Sequence, residues 1–235
     1  MMTQLHLIPV SLGDSPVSRW LPTDAQQIAS QIDVYIAENA KTARAFLKLI
    51  GTVKPIQEIT IYTLTPKTSS AEMRQWLKSP GSAGNIGLVS EAGCPAVADP
   101  GALVVNEAHK MDIPVIPWVG PSSILLGLMA SGLDGQRFAF HGYAPVQADD
   151  RAKQLQTWET ISAKLKQTQL FIETPYRNTA MFQTLLEKLR PSTRLCVARA
   201  ITTDKEWIKT HTIADWKKLP APDLDKQATL FLFLA

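Results

Sequence analysis

The sequence predicts an α/β chain of two domains, an N-terminal domain with a mostly parallel sheet (1–118) and a C-terminal α+β domain with a mixed sheet (119–235). Short apolar, β-branched runs alternate with helical patterns up to about residue 116, which is typical of βαβ units. Pro117, Gly120 and Pro121 then interrupt the chain. Strand patterns joined by short connections follow towards the C-terminus, as expected for a mixed sheet.

The first half of the chain contains alternating strand and helix patterns. We expect strands at 5–10, 34–36, 59–62, 86–89 and 113–116, and helices at 25–31, about 43–50, 69–78 and 101–111. Asp24 is expected to cap the first helix, and Asp99 and Pro100 the last, as an N-cap and N1 pair. The second helix places Ala43, Phe46, Leu47 and Ile50 on one face, with Gly51 as its C-cap. The run 86–89 is apolar throughout, as in a fully buried parallel strand.

The second half has a different pattern. We expect an apolar helix at 122–131 with a serine cap, a strand at 137–141, a helix at 149–167, a strand at 169–173, a helix at 177–189, and strands at 194–199, 206–212 and 228–234. Consecutive strands of this kind favour antiparallel pairing beside the parallel units.

Composition excludes several classes of protein. The first residues have neither a basic region nor a long apolar run, and no stretch approaches the ~20 apolar residues of a membrane span. Cys94 and Cys196 are the only cysteines, which supports neither a disulfide framework nor a zinc site. The four histidines make no metal-ligand spacing. We therefore expect a cytoplasmic protein without a membrane segment or a metal.

Glycine and charge are unevenly distributed along the chain. Ten of the twelve glycines lie between Gly81 and Gly142, so sharp turns and close approach to a ligand are expected in the middle of the sequence. Residues 1–148 carry a net charge of −1 and residues 149–235 a net charge of +4. This basic excess is compatible with an anionic partner.

Two loops that follow predicted strands are candidates for ligand binding, because open α/β sheets bind ligands at the carboxyl ends of their strands. The loop Pro9–Gly13 has one glycine, and neither the dinucleotide pattern GxGxxG nor the P-loop pattern GxxxxGK[ST] occurs. The loop Ser90–Gly101 is built from small residues around Glu91, and small residues let a ligand approach the main chain.

The loop Ser90–Gly101 resembles the SDAGTPxxxDPG signature of the tetrapyrrole methylase family of S-adenosylmethionine-dependent methyltransferases. The likeness is greatest for the branch that 2′-O-methylates a cytidine ribose of 16S ribosomal RNA. Four further segments resemble motifs of the family or of this branch in the same order, PLPGPxAxxxAL, GLPxDRFxFxGFLP, FYESPHR and ARELTK: Pro117–Ile124, Gly132–Pro145, Phe171–Arg177 and Val197–Arg199.

The resemblance implies a methyltransferase with S-adenosylmethionine as cofactor, bound in a cleft between the two domains of a homodimeric protein. By position in the motifs, the cofactor-binding residues would be Pro9, Leu12, Ser90, Glu91, Ala92, Gly93, Ser122, Ser123, Ile124, Phe171, Ala228 and Thr229. Main-chain groups of small-residue loops suit adenine and amino-acid groups, and a carboxylate such as Glu91 suits a hydroxyl or an ammonium.

The substrate-side motifs depart from the family pattern. The opening TPIGNLxD is reduced to Pro9–Asp14, the AEDTR element becomes Ala37–Arg44, and the ARELTK element loses its Glu and its Lys. The acceptor therefore stays open between a ribose of ribosomal RNA in the small ribosomal subunit and a tetrapyrrole or other small molecule. A third alternative is an S-adenosylmethionine-binding protein without transferase activity.

The charged residues at strand ends or in matched motifs supply four catalytic candidates, Glu38, Arg44, Glu173 and Arg199. Glu38 fits a general base or an orienting group for a hydroxyl, and equally a solvated carboxylate at a helix start. Arg199 fits a ligand for a phosphate or for an intramolecular carboxylate.

Other side chains of this region have a structural and a functional interpretation. Arg177 at a helix start predicts a non-local anionic partner. For Trp158, Trp207 and Trp216, core packing competes with stacking on a base. Cys94 has no histidine near it in the sequence, which favours a packing role over a nucleophilic one.

Overall fold

The structure, a computed structural model, describes residues 3–81 and 84–235. The chain divides into two compact units, of which the first ends at Ser122 and the second runs from Ser123 to Ala235. The division predicted from the sequence lay slightly earlier, at 118–119.

The first unit contains a five-stranded sheet in which every pair of neighbouring strands is parallel. Its strands, in the spatial order β3-β2-β4-β1-β5, are β1 (Gln4–Leu7), β2 (Val34–Ala37), β3 (Thr60–Thr63), β4 (Asn85–Val89) and β5 (Val115–Pro117). The predicted parallel α/β domain is therefore confirmed. β4 is buried along most of its length, as its uninterrupted apolar run predicted.

Four helices connect these strands: α1 (Thr23–Gln31), α2 (Ala40–Ile50), α3 (Ser70–Leu77) and α4 (Gly101–Lys110). The predicted apolar face of α2 is confirmed, because its buried residues are Ala43, Phe46, Leu47 and Ile50. Gly51 ends this helix with a φ of 73°, a conformation that glycine adopts without strain. Apolar side chains pack on both faces of the sheet, with Tyr35 and Ile36 in different clusters.

Three local predictions for the first unit were wrong in detail. Helix α1 begins at Thr23 after Pro22, so Asp24 lies inside the first turn instead of capping it. Helix α4 begins at Gly101, so Pro100 occupies its N-cap instead of the predicted N1 position. Asp99, which was predicted as the N-cap, accepts a hydrogen bond from the Gly101 N–H at 2.7 Å. The first strand ends at Leu7, before Pro9, which has no N–H to donate to the sheet.

The second unit contains a mixed five-stranded sheet in the order β6-β7-β10-β8-β9. β6 and β7 are parallel, and the other neighbouring strands are antiparallel. The elements are α5 (Ser123–Ser131), β6 (Phe138–Tyr143), α6 (Ala148–Leu165), β7 (Thr168–Glu173), α7 (Asn178–Lys188), β8 (Arg194–Arg199), β9 (Trp207–Thr212), α8 (Ile213–Trp216) and β10 (Thr229–Leu234). The predicted α+β domain with a mixed sheet is confirmed.

Aromatic side chains form much of the core of the second unit. Trp158 and Trp216 are buried, which confirms the core interpretation for both, and Trp207 packs against the same cluster while partly buried. His141 stacks on Trp158 with ring centroids 4.2 Å apart. Phe171 is fully buried and lies 5.4 Å from both Trp158 and Phe231. These rings fix the positions of β7 and β10 in the sheet.

The described part of the chain lacks the features of two possible kinds of site. None of its helices is long and apolar enough to cross a membrane. Within the same ranges, no group of three or more His, Cys, Asp or Glu side chains is arranged to hold a metal ion.

Candidate functional site

The two loops singled out in the sequence are joined at the carboxyl edge of the first sheet. Val10 and Gly93 form an isolated antiparallel bridge. The Val10 N–H donates to the Gly93 carbonyl at 3.0 Å, and the Gly93 N–H donates to the Val10 carbonyl at 3.2 Å. Gly93 has a φ of +74°, and a Cβ there would lie 3.1 Å from Leu12 Cδ2. The predicted residues Leu12 and Gly93 therefore lie side by side.

The segment after β5 adds a third loop to this assembly. The Cys94 thiol donates to the Pro121 carbonyl at 3.3 Å. A Cβ placed on Gly120 would lie only 2.2 Å from Pro9 Cβ, so these two main chains approach as closely as a glycine allows. We call the three segments Pro9–Gly13, Ser90–Cys94 and Gly120–Ser122 the loop triad.

The Cys94 thiol is held as a neutral group in this assembly. Burial raises the pKa of Cys94, which disfavours the thiolate that a nucleophile would need. Its hydrogen bond to Pro121 links two loops of the triad. The packing role predicted for Cys94 agrees with this geometry.

The loop after β4 has a defined internal structure. The Ser90 side chain is buried and donates towards the Gly93 carbonyl at 3.2 Å. Ala96 and Ala98 have φ values of 67° and 62°, a region where alanine is strained by about 1 kcal/mol or more. Asp99 Oδ1 stabilises this backbone by accepting from the Ala96 N–H at 3.0 Å. The loop therefore presents its main-chain groups in one fixed arrangement.

Three carboxylates lie at the same edge of the sheet, on Glu38, Glu91 and Asp99. Burial, and then the negative charges of Asp99 and Glu91, raise the pKa of Glu38. Burial also raises the pKa of Asp99, although hydrogen bonds from the main chain oppose the shift. The effect of Asp99 and Glu91 on Glu38 indicates a concentration of negative charge at this edge, which favours a cationic or hydroxyl-bearing ligand.

Glu91 is positioned by Thr42, which was not among the predicted site residues. Thr42, in the first turn of α2, donates its hydroxyl to Glu91 Oε1 at 2.5 Å and contacts the Asn39 carbonyl at 2.9 Å. Asn39 in turn caps α2 by accepting from the Lys41 N–H. Thr42 lies in the segment Ala37–Arg44, which stands where the family has its AEDTR element, and this location is the sequence signal that could have identified it. Arg44, further along α2, is exposed.

A cavity of about 310 Å³ opens beside these groups. Its apolar wall includes Val10, Trp20 and Phe46, and its polar rim includes Thr42, Ser90 and Glu91. This volume is at the lower end for small-molecule sites, which are mostly apolar with a few convergent polar groups. Trp20 and Phe46 come from distant parts of the sequence, so no local pattern could have placed them here.

In the second unit, three predicted residues form one row across the sheet. Thr229 on the central strand β10 pairs with Glu173 on one side and Arg199 on the other. Ala228, just before this strand, is exposed, while Thr229 is buried. The row brings together three of the residues predicted from the sequence in this unit.

One oxygen of the Glu173 carboxylate accepts three hydrogen bonds from neighbouring groups. Its Oε1 accepts from the Arg177 guanidinium at 2.9 and 2.5 Å and from the Thr174 N–H at 2.7 Å. The prediction of a non-local partner for Arg177 was therefore wrong, because the strand end and the turn after it place a carboxylate four residues away. Glu173 is buried, whereas Arg177 keeps 30% of its side chain exposed.

Arg199 has an intramolecular partner, which was one of its two predicted alternatives. Its guanidinium donates to the Asp223 carbonyl and lies 4.0 Å from the Asp223 carboxylate. It also lies 5.6 Å from the centre of the Trp207 ring, within range of a cation–π interaction. Arg199 is therefore held in place at the row while remaining partly exposed.

The remaining predicted cofactor residues have different environments. Phe171 is not at a strand end, because β7 continues to Glu173, and its side chain fills the core. A role for Phe171 could therefore involve only its main chain. Ser122, Ser123 and Ile124 are half-buried, at the end of the first unit and the start of α5. Ala92 is exposed next to Glu91. Their contacts with a cofactor stay predictions.

We expect Arg177→Met to lower the free energy of unfolding by about 3–5 kcal/mol, because it leaves the buried Glu173 carboxylate without its charged partner. Urea denaturation measures this change. Lys218→Met, which breaks the exposed pair with Asp215, is the control and should cost less than about 1 kcal/mol. Equal effects of the two substitutions would contradict the structural importance of the Glu173–Arg177 pair.

Comparison with solved structures identifies the class of fold. The methyltransferase CobJ covers 99% of this chain and 94% of its own with a TM-score of 0.63, at 15% sequence identity. The cobalt precorrin-4 methyltransferase CbiF aligns with a TM-score of 0.60, also at 15% identity, over 98% of this chain and 94% of its own. The chain therefore has the fold of the tetrapyrrole methylases, as its motifs predicted.

Sequence comparison gives a more particular likeness, to proteins named ribosomal RNA small subunit methyltransferase I. The protein from Mesorhizobium japonicum is 34% identical over 129 residues, which are 55% of this chain and 42% of that protein. The protein from Xylella fastidiosa is 29% identical over 231 residues, or 98% of this chain and 80% of that protein. No protein-family model matches. The predicted resemblance to this branch of the tetrapyrrole methylases is thus confirmed.

The extent of these matches differs between relatives. The matched stretch spans less than half of the length of the Mesorhizobium protein and of the Vibrio cholerae protein, 42% and 44% respectively. The activity and substrate of those whole proteins are therefore a basis for proposals about this chain.

Proposed function

We propose that this protein is an S-adenosylmethionine-dependent methyltransferase that methylates the 2′-hydroxyl of a ribose in ribosomal RNA. The observation that carries the proposal is the loop triad, since three segments selected from the sequence meet at the carboxyl edge of the parallel sheet. The likeness to ribosomal RNA small subunit methyltransferase I proteins supports the choice of acceptor.

The groups present at the triad fit the proposed cofactor. Adenosylmethionine, when bound, supplies a methyl group on a positively charged sulfur. The carboxylates of Glu38 and Glu91 suit its cationic and hydroxyl groups, and apolar surface such as that of Trp20 and Phe46 suits an adenine. The fixed loop after β4 offers main-chain donors and acceptors without further ordering.

In this proposal Glu38 is the general base. Its carboxylate would accept the proton of the acceptor hydroxyl as that oxygen takes the methyl group, and a raised pKa makes the carboxylate a stronger base. Thr42 holds Glu91 in one orientation by its short hydrogen bond, which leaves Glu91 as a ligand for hydroxyl or ammonium groups. Much of the rate would come from alignment of the reacting atoms.

The charged residues of the second unit have supporting roles in the proposal. Glu173 is too deeply buried to meet a substrate and instead positions the Arg177 guanidinium. Arg199, held by Asp223 and Trp207, provides a fixed positive charge for an anionic acceptor. Arg44 offers a further, exposed charge on α2.

An RNA acceptor also agrees with the charge distribution. The second unit, residues 123–235, carries 15 Lys and Arg against 11 Asp and Glu. A basic surface favours a polyanion over a small neutral acceptor. We further propose that the protein acts in the cytoplasm as a homodimer, as the family resemblance implies, and sedimentation equilibrium tests the dimer.

Two successive measurements test the proposed function. Titration calorimetry with adenosylmethionine should show binding, and the absence of binding would refute the cofactor and the activity together. Transfer of a labelled methyl group to 30S subunits that lack the ribose methylation should then yield one 2′-O-methylated nucleotide. Binding without transfer to those subunits would instead favour a small-molecule acceptor, or a protein that binds the cofactor without transferring its methyl group.

A further inference from the structure

A second cavity lies at the other end of the second sheet from the row of Glu173, Thr229 and Arg199. It is an open depression of about 730 Å³ between the start of β8 and the ends of β9, β10 and α6, and we call it the basic groove. Arg194 in the groove pairs with Leu234 and Thr212, five positions along β8 from Arg199. Strand geometry separates the two rows by ~17 Å. The basic groove is therefore distinct from the predicted site.

Two cationic side chains line the basic groove. Arg194 is exposed and is anchored by a hydrogen bond from its guanidinium to the Gly132 carbonyl at 3.3 Å. Lys166 ends α6 in a left-handed conformation, with a φ of 49°. No carboxylate in the described ranges lies within ion-pairing distance of either residue. Both charges are consequently available to a ligand.

The other polar side chains in the described lining of the groove include one carboxylate. Asp134 is the only acidic side chain in its described lining, and its Oδ1 already accepts from the Gln136 and Arg137 N–H groups at 2.7 and 3.2 Å. The Thr212 hydroxyl donates to Asp215. The Ser192 hydroxyl makes no hydrogen bond within the described residues and can donate to an anion.

We propose that the basic groove binds phosphate groups of the RNA acceptor's backbone and so positions the RNA on the second unit. This inference rests on the proposed function, because it takes the acceptor to be RNA. Unpaired Arg and Lys beside a free hydroxyl are the groups that contact phosphodiesters. The groove is open, which suits a continuous chain better than a small anion that would need an enclosed site. Contacts to phosphates fix the position of an RNA without reading its sequence.

The test is a double substitution, Lys166→Asn with Arg194→Gln. Asparagine tolerates the left-handed conformation at position 166, so the first change removes charge with little backbone strain. Affinity for a labelled fragment of small-subunit ribosomal RNA is measured over a salt series. Each lost phosphate contact should weaken binding about five- to eightfold near ~0.1 M salt and reduce the salt slope by about 0.7–0.9. Affinity for adenosylmethionine should not change.

A matched control removes the same charge elsewhere, by Lys153→Gln with Lys188→Gln on exposed positions outside the groove. Equal weakening by the two double variants would overturn the proposal, since only net charge would then matter. Loss of binding to 30S subunits with unchanged binding to the RNA fragment would also overturn it, in favour of an acidic protein surface. If the parent protein binds the RNA fragment but transfers no methyl group to any RNA, the proposed function fails while the groove comparison remains valid.

Discussion

Replacing Glu38 by Gln is expected to lower the rate of methyl transfer by about 10²-fold or more, while the folded protein becomes no less stable. The rate falls because an amide cannot accept the proton of the acceptor hydroxyl, and general bases contribute about 10²–10⁴-fold. In the parent protein the rate should decrease as the pH falls through the raised pKa of Glu38, at a higher pH than for an ordinary glutamate.

The effect of this substitution on stability has a defined sign. Burial and two neighbouring carboxylates place the folded-state pKa of Glu38 above its unfolded value. The folded protein therefore binds more protons between the two values, and its stability falls as pH rises through that interval. This destabilisation is fully present above the folded-state pKa of Glu38 and is absent at a pH well below the unfolded value, where the carboxyl is neutral in both states. Glu38→Gln should thus be as stable as the parent at low pH and more stable at pH 7.

Urea denaturation at pH 4 and pH 7, together with single-turnover methyl transfer, measures both effects. Glu58→Gln, which changes an exposed glutamate in the same unit, should alter neither quantity. A Glu38→Gln variant that transfers methyl groups at the parent rate would eliminate Glu38 as the base and leave it as a solvated carboxylate at a helix start.

Gly120→Ala is expected to weaken adenosylmethionine binding at least about tenfold, equivalent to about 1.4 kcal/mol. The added Cβ would lie 2.2 Å from Pro9 Cβ and 2.4 Å from Pro9 Cγ. Pro9 is buried, and its pyrrolidine ring cannot rotate away from the new methyl group. Two segments of the loop triad must therefore separate, and overpacking of this kind also costs about 1–3 kcal/mol of stability.

Calorimetry of adenosylmethionine binding and thermal unfolding report these two changes separately. The matched control is Gly135→Ala, because a Cβ on Gly135 meets nothing within 4 Å among the described residues. Unchanged cofactor affinity in a Gly120→Ala variant that shows the expected loss of stability would indicate that the spacing between Pro9 and Gly120 does not shape the binding site.

The parts of the fold that the sequence predicted well are those decided by local patterns. Helix α2 is an example, since its buried face and its final glycine follow from spacing within twelve residues. Helix α8 was missed because four residues show no helical period, although Thr212 caps it by accepting from the Asp215 N–H. Resemblance to family motifs identified Leu12 and Gly93 as site residues, but no local sequence pattern predicts that the two lie next to each other.

The parts that could not be predicted depend on contacts between distant segments. The bond from Thr42 to Glu91 joins residues 49 positions apart, and the approach of Gly120 to Pro9 spans more than a hundred. The error for Arg177 has a different origin. Its partner Glu173 was close in sequence, but the turn that brings the two together follows a strand, where helical spacing rules do not apply.

The strand orders of the two sheets have a consequence for folding. β1 pairs only with β4 and β5, so the first strand has no neighbour until some eighty residues later in the chain. β10, the last strand, lies at the centre of the second sheet, between β7 and β8. Each sheet thus depends on pairing between segments far apart in sequence, and such high contact order slows folding. During synthesis on the ribosome the second sheet can close only after its last strand has emerged, so deletion of even this one strand should leave β7 and β8 as unpaired, aggregation-prone edges.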